Sequence, residues 1–356
     1  MNSKERFHAV THYQPYDRLF RWEMGRYEET RKRWQSEGMP TDKSLGQIVG
    51  YDGFGVIPFV LRQCPGFEKK VIEETDEYQI YQCDRDGAIK KIRKDTPPPA
   101  MPQYIRFPVE TREDWERFRK ERLDPDNPSR FPRSIAELKE QYGNLDRPVG
   151  ITAGSMFGWL RDWIGVENFS MMFYDDPKLV HEMMDYLGDY FVEMLKKVVF
   201  EMRFDYAQLW EDMAYKNGSL ISPKLVREFM VPGYRKVVDL LHKADIDIIL
   251  LDSDGDVEEL IPIWIECGIN FIYPFEVAAG MDVVQLRKKF GKDLLMGGGM
   301  DKRVMAGDKA SIKAMVEEKR DLILEGGYIP GCDHAIPPDI PWENFLYYRE
   351  LLHDIA

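Results

Sequence analysis

From residue 148 onward, hydrophobic positions switch between short continuous runs and a three-to-four spacing, the patterns of buried strands and amphipathic helices. Residues 148–153 form the first such run. Over residues 177–200, Val180, Met183, Met184, Leu187, Phe191, Met194, Leu195 and Val198 line one helical face, and Pro177 suits the first turn. Residues 206–210 predict a strand with Glu211 at its end. Ser222-Pro223 opens a helix that Pro232 is expected to interrupt, and a second helix follows to about Ala244. Residues 246–251, apolar except for Asp247, suit a strand buried on both faces. A helix carrying Leu260, Ile261 and Trp264 comes next, then a strand at 271–273, a helix at 283–290 and a strand at 294–296. A helix over 311–324, a strand at 328–330 and a last helix with Phe345, Leu346, Tyr348 and Leu351 complete the series.

Residues 18–23 predict another strand upstream, and residues 53–59 are the weakest candidate for an eighth. Seven or eight strand–helix units predict an α/β protein with a (β/α)8 TIM barrel. A doubly wound sheet would usually carry a glycine-rich phosphate turn after its first strand, and none is present. Residues 60–146 break the rhythm. Polar and apolar residues alternate over 71–91 (Tyr78, Ile80, Tyr81, Ile89), which predicts an antiparallel hairpin around Asp86-Gly87 ended by Pro97-Pro98-Pro99. The stretch reads as an insertion in the first unit of one domain spanning residues 1–356, without internal repeats.

Composition narrows the function classes. A hydrophobic content of 44% with 13% aromatics supports a large core, and a net charge of -13 makes nucleic acid and anionic membranes poor partners. No apolar run approaches the roughly 20 residues of a membrane span. The start, MNSKERFHAV, lacks a secretory core, so a cytoplasmic protein is expected. Four cysteines without a Cys-x-x-Cys pair do not suggest a disulfide framework. Cys267 follows an apolar helical stretch, and Cys64 and Cys83 lack ligand-spaced partners, so all three read as structural.

In an α/β barrel the chemistry sits where strands end. Those points carry Glu23, Glu211 with Asp212, Asp252 with Asp254, Glu276, Asp301, and Cys332 with His334. Asp252 and Asp254 are two apart and share a side if the strand continues, as do Cys332 and His334. Carboxylate, thiolate and imidazole together suit zinc held by three ligands with a fourth position open. The alternatives are plain. Asp-x-Asp-Gly-Asp also spells a solvated turn, Cys332 also suits a packed thiol, and His334 also suits the start of a rigid turn before Pro337-Pro338. A calcium loop does not fit, because the twelfth position from Asp252 is Ile263. Gly297-Gly298-Gly299 suggests backbone held close to a bulky ligand, and Phe157 beside Trp159 could line a pocket for a flat cofactor or simply pack.

These residues together resemble the uroporphyrinogen decarboxylase superfamily, which includes cobalamin-dependent methyltransferases. The resemblance rests on the order of Pro15-Tyr16-Asp17-Arg18, Gly25-Arg26-Tyr27, Asp176-Pro177, Ser222-Pro223, Pro232, Gly280-Met281-Asp282, Gly297-Gly298-Gly299-Met300-Asp301 and Gly331-Cys332. It implies the (β/α)8 fold. True decarboxylases of the family use no cofactor and clamp substrate carboxylates with an arginine-rich motif. Here Trp22-Glu23-Met24-Gly25-Arg26-Tyr27 resembles a shortened form, and Glu23 would repel a polycarboxylate. The methyltransferase branch binds zinc through His-x-Cys and a late Cys. Asp252 and Asp254 stand in the first two places and Cys332 in the third, a harder, oxygen-rich set suited to polarising oxygen or nitrogen. The resemblance therefore implies methyl transfer from a small O- or N-methylated donor to a corrinoid protein that carries the cobalamin. Asp252, Asp254 and Cys332 are the expected zinc ligands, and Glu211, Glu276 and His334 the expected catalytic groups. Tyr273 joins Glu276 in orienting the donor, Gly297, Gly298, Gly299 and Phe157 are the expected cofactor contacts, and a homodimer is allowed. The rivals are a metal-free decarboxylase and a non-catalytic tetrapyrrole or corrinoid binder.

Overall fold

The apolar runs of the second half pair side by side in a computed structural model that describes residues 1–96 and 101–355. Seven parallel strands form one sheet, with neighbours following chain order. They are Gly55–Val56 (β1), Val149–Gly154 (β2), Tyr206–Trp210 (β3), Ile249–Asp252 (β4), Phe271–Phe275 (β5), Leu295–Met300 (β6) and Tyr328–Cys332 (β7). Every strand expected from residue 148 onward is present. β6 runs through the whole glycine triplet to Met300, beyond the expected end at 296.

Alternation along the strands divides the apolar side chains between two faces. Ala207, Leu209, Ile249, Leu251, Ile272, Met296, Tyr328 and Cys332 join the helices in the main core. Tyr206, Leu250, Phe271, Tyr273, Leu295 and Ile329 form a separate concave cluster together with Ile248. The helix Ser3–Thr11 closes this concavity at the amino ends of the strands with Phe7 and Val10. The Phe7 ring meets Phe20 and Phe54 edge-on at 5.6 Å, so the concave side is packed at that end and open chemistry is confined to the carboxyl ends.

The strand expected at 18–23 is an extended segment without regular pairing, whereas the weak candidate at 53–59 pairs with β2 as β1. It still spans the gap between the sheet edges. Arg21 accepts from Asp52 N at 2.9 Å just before β1, and Ile336 N donates to Gly25 O at 2.9 Å just after β7. The Asp52 carboxylate fixes one end by accepting from Arg6 (2.6 Å), Arg18 (2.7 Å) and Arg21 N (2.7 Å). Side-chain bonds to Asp52 thus replace part of a strand ladder.

The insertion carries more strand than its hairpin alone. Lys70–Glu74, Tyr78–Gln82, Ile89–Arg93 and Gln103–Arg106 make a four-stranded antiparallel sheet, with the expected hairpin at its centre. The prolines expected to end that hairpin lie outside the described residues. Helices Arg112–Arg122 and Ile135–Tyr142 bury Trp115, Phe118 and Leu138 in the main core. The break expected at Pro232 does not occur. The helix continues from Pro223–Leu225 through a π-helical turn, Val226–Met230, into Val231–Lys243. Widening the turn accommodates a ring that would otherwise strike the preceding turn and a nitrogen that cannot donate.

Candidate active site

β3, β4 and β5 bring Trp210, Asp252 and Tyr273 into register, with Asp252 paired to both neighbours. By parity Asp252 and Tyr273 take the concave face, whereas Trp210, at the end of its strand, packs against the helix-side core. Tyr273 is fixed by Gln208, whose Nε2 donates to its hydroxyl oxygen at 2.5 Å, and by the Trp22 ring, edge-on at 5.5 Å. Burial pushes the Asp252 carboxyl up to about 8, and the nearby charges of Asp254 and Asp212 add to the effect. At neutral pH Asp252 is therefore a carboxylic acid with a proton to give.

Beside it, His334 Nε2 lies 3.3 Å from Asp254 Oδ2. The Asp254 carboxylate holds the imidazole above its ordinary range, against an opposing effect of burial. The other Asp254 oxygen is buried without a hydrogen-bond partner among the described residues. Tyr27 stacks on His334 at 6.4 Å between ring centres and 26° between planes. Glu276 accepts from Lys302 Nζ at 3.0 Å and from Gly255 N at 3.1 Å, tying the loops after β4, β5 and β6 together. Asp333 secures them from below, accepting from Val277 N and Lys302 N at 3.1 Å each. The mouth thus gathers Asp252, Asp254, Glu276 and His334 as expected, and adds Trp210, Tyr27 and Lys302, which the sequence reading did not select. Strand register alone would have placed Trp210 beside Asp252.

Several expected site residues face elsewhere. Cys332 is 2% exposed and packs in the helix-side core, on the opposite face of the sheet from Asp252. Burial raises its thiol well above the ordinary range, with the charges of Glu23 and Asp333 contributing, which disfavours a thiolate. Glu23 is taken up by a buried pair with Arg349 Nη1 at 2.8 Å and accepts from Cys332 N at 2.7 Å. The expected zinc set of Asp252, Asp254 and Cys332 is therefore not assembled. Among the described residues no group of three His, Cys, Asp or Glu side chains is placed to hold a metal ion.

Glu211, an expected catalytic group, is turned away from solvent. It is fully buried and accepts from Met156 N (2.8 Å), Phe157 N (2.7 Å), Gly158 N (3.1 Å) and Ser155 Oγ (3.1 Å). It binds the start of helix Gly158–Ile164 to β3, satisfying donors that a helix end leaves open. Phe157, expected to contact a cofactor, is fully buried against Phe169 at 5.3 Å. The glycine triplet makes room for protein. A Cβ on Gly299 would come within 2.6 Å of Val283, and one on Gly297 within 3.1 Å of Phe271 and Tyr273. Asp301 caps helix Lys302–Met305 and pairs with Arg303 at 2.8 Å.

A curled parallel sheet with a neutral acid, an imidazole–carboxylate pair and an ammonium–carboxylate pair at its carboxyl edge has the architecture of an α/β enzyme. The chain belongs to the uroporphyrinogen decarboxylase family: residues 91–355 match Uroporphyrinogen decarboxylase (URO-D). A uroporphyrinogen decarboxylase of Gloeobacter violaceus is 24% identical over 260 residues, covering 70% of this chain and 71% of that protein. One from Microcystis aeruginosa is 22% identical over 237 residues, covering 64% and 65%. Among solved structures, a methyltransferase from Methanosarcina mazei superposes with a TM-score of 0.59 at 16% identity, covering 99% of this chain and 98% of that one. This last likeness is one of fold.

Proposed function

We propose that the chain is a methyltransferase of the uroporphyrinogen decarboxylase superfamily that moves a methyl group from a small O- or N-methylated donor to a corrinoid protein. Its fold would be the family's (β/α)8 barrel, with segment 19–26 in the eighth position, working in the cytoplasm. The observation that carries the reading is the half-buried Asp252 at the mouth, whose carboxyl is pushed up by burial and by the neighbouring charges of Asp254 and Asp212. A methyl ether or amine leaves poorly unless its heteroatom gains a proton as the carbon departs. The corrinoid, held by the partner protein, supplies the nucleophile that takes the methyl group. Asp252 delivers its proton to the donor oxygen or nitrogen as the bond to carbon breaks, and water returns a proton to the carboxylate afterwards. Asp254 and His334 hold one wall, Glu276 and Lys302 another, and Trp210, Tyr273 and Trp22 pack against the apolar part of the donor. The step needs no metal ligand from Cys332.

Charge weighs against a polycarboxylate substrate. Asp212, Asp252, Asp254 and Glu276 surround the mouth, while Arg6 and Arg18 near the start of the chain are engaged by Asp17 and Asp52. The test is a cob(I)alamin assay followed at visible wavelengths with a panel of methyl ethers and methylamines. The expected result is donor-dependent loss of the cob(I) spectrum, abolished in Asp252→Asn. Decarboxylation of a uroporphyrinogen-type polycarboxylate without corrinoid, and no response to any methyl donor, would overturn the reading in favour of the decarboxylase. Spectral binding without turnover would favour the binding protein.

A further inference from the structure

The insertion reaches the end of β3 through the tip of its hairpin, and that tip is held firmly. Gly87 N donates to Cys83 O at 2.9 Å, and Asp86 accepts from Ala88 N at 3.0 Å and from Lys90 Nζ at 2.6 Å. Gly87 has a φ of +78° and presses on Phe67, where a Cβ would lie 2.4 Å from the ring. Gln63 Nε2 donates to Arg85 O at 2.6 Å. The result is that the Arg85 guanidinium sits 5.3 Å from the ring centre of Trp210, the strand neighbour of Asp252. Arg85 is exposed and has no hydrogen-bond or ion-pair partner among the described residues. Its fellow cations are engaged: Arg161, also 5.3 Å from Trp210, pairs with Asp212 at 2.9 Å, and Arg62 pairs with Asp162 at 2.6 Å. Three guanidinium groups thus face two carboxylates, leaving one positive charge unmatched on an otherwise acidic protein.

We propose that Arg85 is a specificity residue, taking the carboxylate of an organic acid whose other end lies against Trp210 and Asp252. A guanidinium presents two parallel donors to a carboxylate, and stacking on an indole keeps its edge free for them. The arrangement deepens the methyl-transfer reading, on which it rests for Asp252 as the reacting end, by naming the donor as one that carries a carboxylate. It also gives the insertion a role, since Arg161 and Lys302 are engaged by Asp212 and Glu276.

Binding measured without corrinoid or methyl donor separates this proposal from the reaction. Isothermal titration with benzoate and with the uncharged isostere benzamide is made on wild type and on Arg85→Met, an exposed position, with the fold of the variant checked by circular dichroism. Benzoate is expected to bind wild type at least about tenfold more tightly than benzamide, and Arg85→Met to remove that difference, as loss of one charge-assisted contact predicts. Benzamide affinity is expected to be the same in both proteins. Equal benzoate affinity in wild type and Arg85→Met overturns the proposal, as does benzamide binding as tightly as benzoate or no benzoate binding at all. Each of those results leaves the cob(I)alamin assay free to succeed or fail on its own.

Discussion

Replacing Asp252 by asparagine removes the proton that the proposed reaction needs while keeping the shape of the side chain, and it should also make the protein more stable. Lifting a carboxyl from an ordinary 3.8 to about 8 corresponds, at about 1.4 kcal/mol per pH unit, to an upper bound of about 6 kcal/mol. A mouth open to water screens part of this, so about 2–3 kcal/mol is the working expectation. The folded protein holds the proton over a range where the unfolded chain has released it. The stability associated with this group is therefore fully present below pH 3.8 and is lost as pH rises through about 8. Urea unfolding of wild type and Asp252→Asn at pH 5, 6, 7, 8 and 9 reads the effect directly. At pH 5 the variant should already be slightly the more stable, and the gap should widen with pH until it reaches about 2–3 kcal/mol by pH 9. Transfer activity should fall in wild type as pH rises through about 8 and be absent from the variant at every pH. A group that stabilises the protein when lost and abolishes activity when lost is a functional group held against the interest of the fold. Parallel stability curves from pH 5 to 9 would refute the reasoning, because they would mean that Asp252 is ionised in the folded state.

The other expectations follow from where the remaining site residues lie. Glu211→Ala leaves Met156 N, Phe157 N, Gly158 N and Ser155 Oγ without their acceptor. It should cost about 3–5 kcal/mol in urea unfolding, and a variant that keeps its stability but loses turnover would restore the catalytic assignment. Cys332→Ala should transfer methyl groups at nearly the wild-type rate and lose about 1–2 kcal/mol of stability, the cost of a small core cavity; a loss of activity with stability unchanged would argue for a ligand role. Arg349→Met strands the buried Glu23 carboxylate and should destabilise by about 3–5 kcal/mol, which chemical denaturation measures. Asp254→Asn should lower the titration midpoint of His334 followed by NMR, because Asp254 holds the imidazole up. The stability that pairing gives is fully present below the ordinary histidine range and is lost as pH rises through the raised value.

The strands and helices of the second half were legible because burial on both faces of a parallel sheet writes itself as continuous apolar runs, such as 246–251. Residues 18–23 show the limit of that rule. They were expected to pair as a strand, yet the bonds that hold them come from Asp52 and, just beyond at Gly25, from Ile336, partners distant in the chain and invisible to periodicity. The site divides in the same way. Asp252, Asp254, Glu276 and His334 were found because they end strands. Cys332 and Glu211 end strands too, and what separates them is which face they take. For Cys332 parity decides: Ile329 faces the concavity, so Tyr328, one residue before it, and Cys332, three residues after it, face the helices. Glu211 follows the end of β3, and its carboxylate turns toward the backbone of Met156, Phe157 and Gly158. Arg85 lies beyond any such rule, since its place over Trp210 depends on how an inserted sheet folds back onto the mouth.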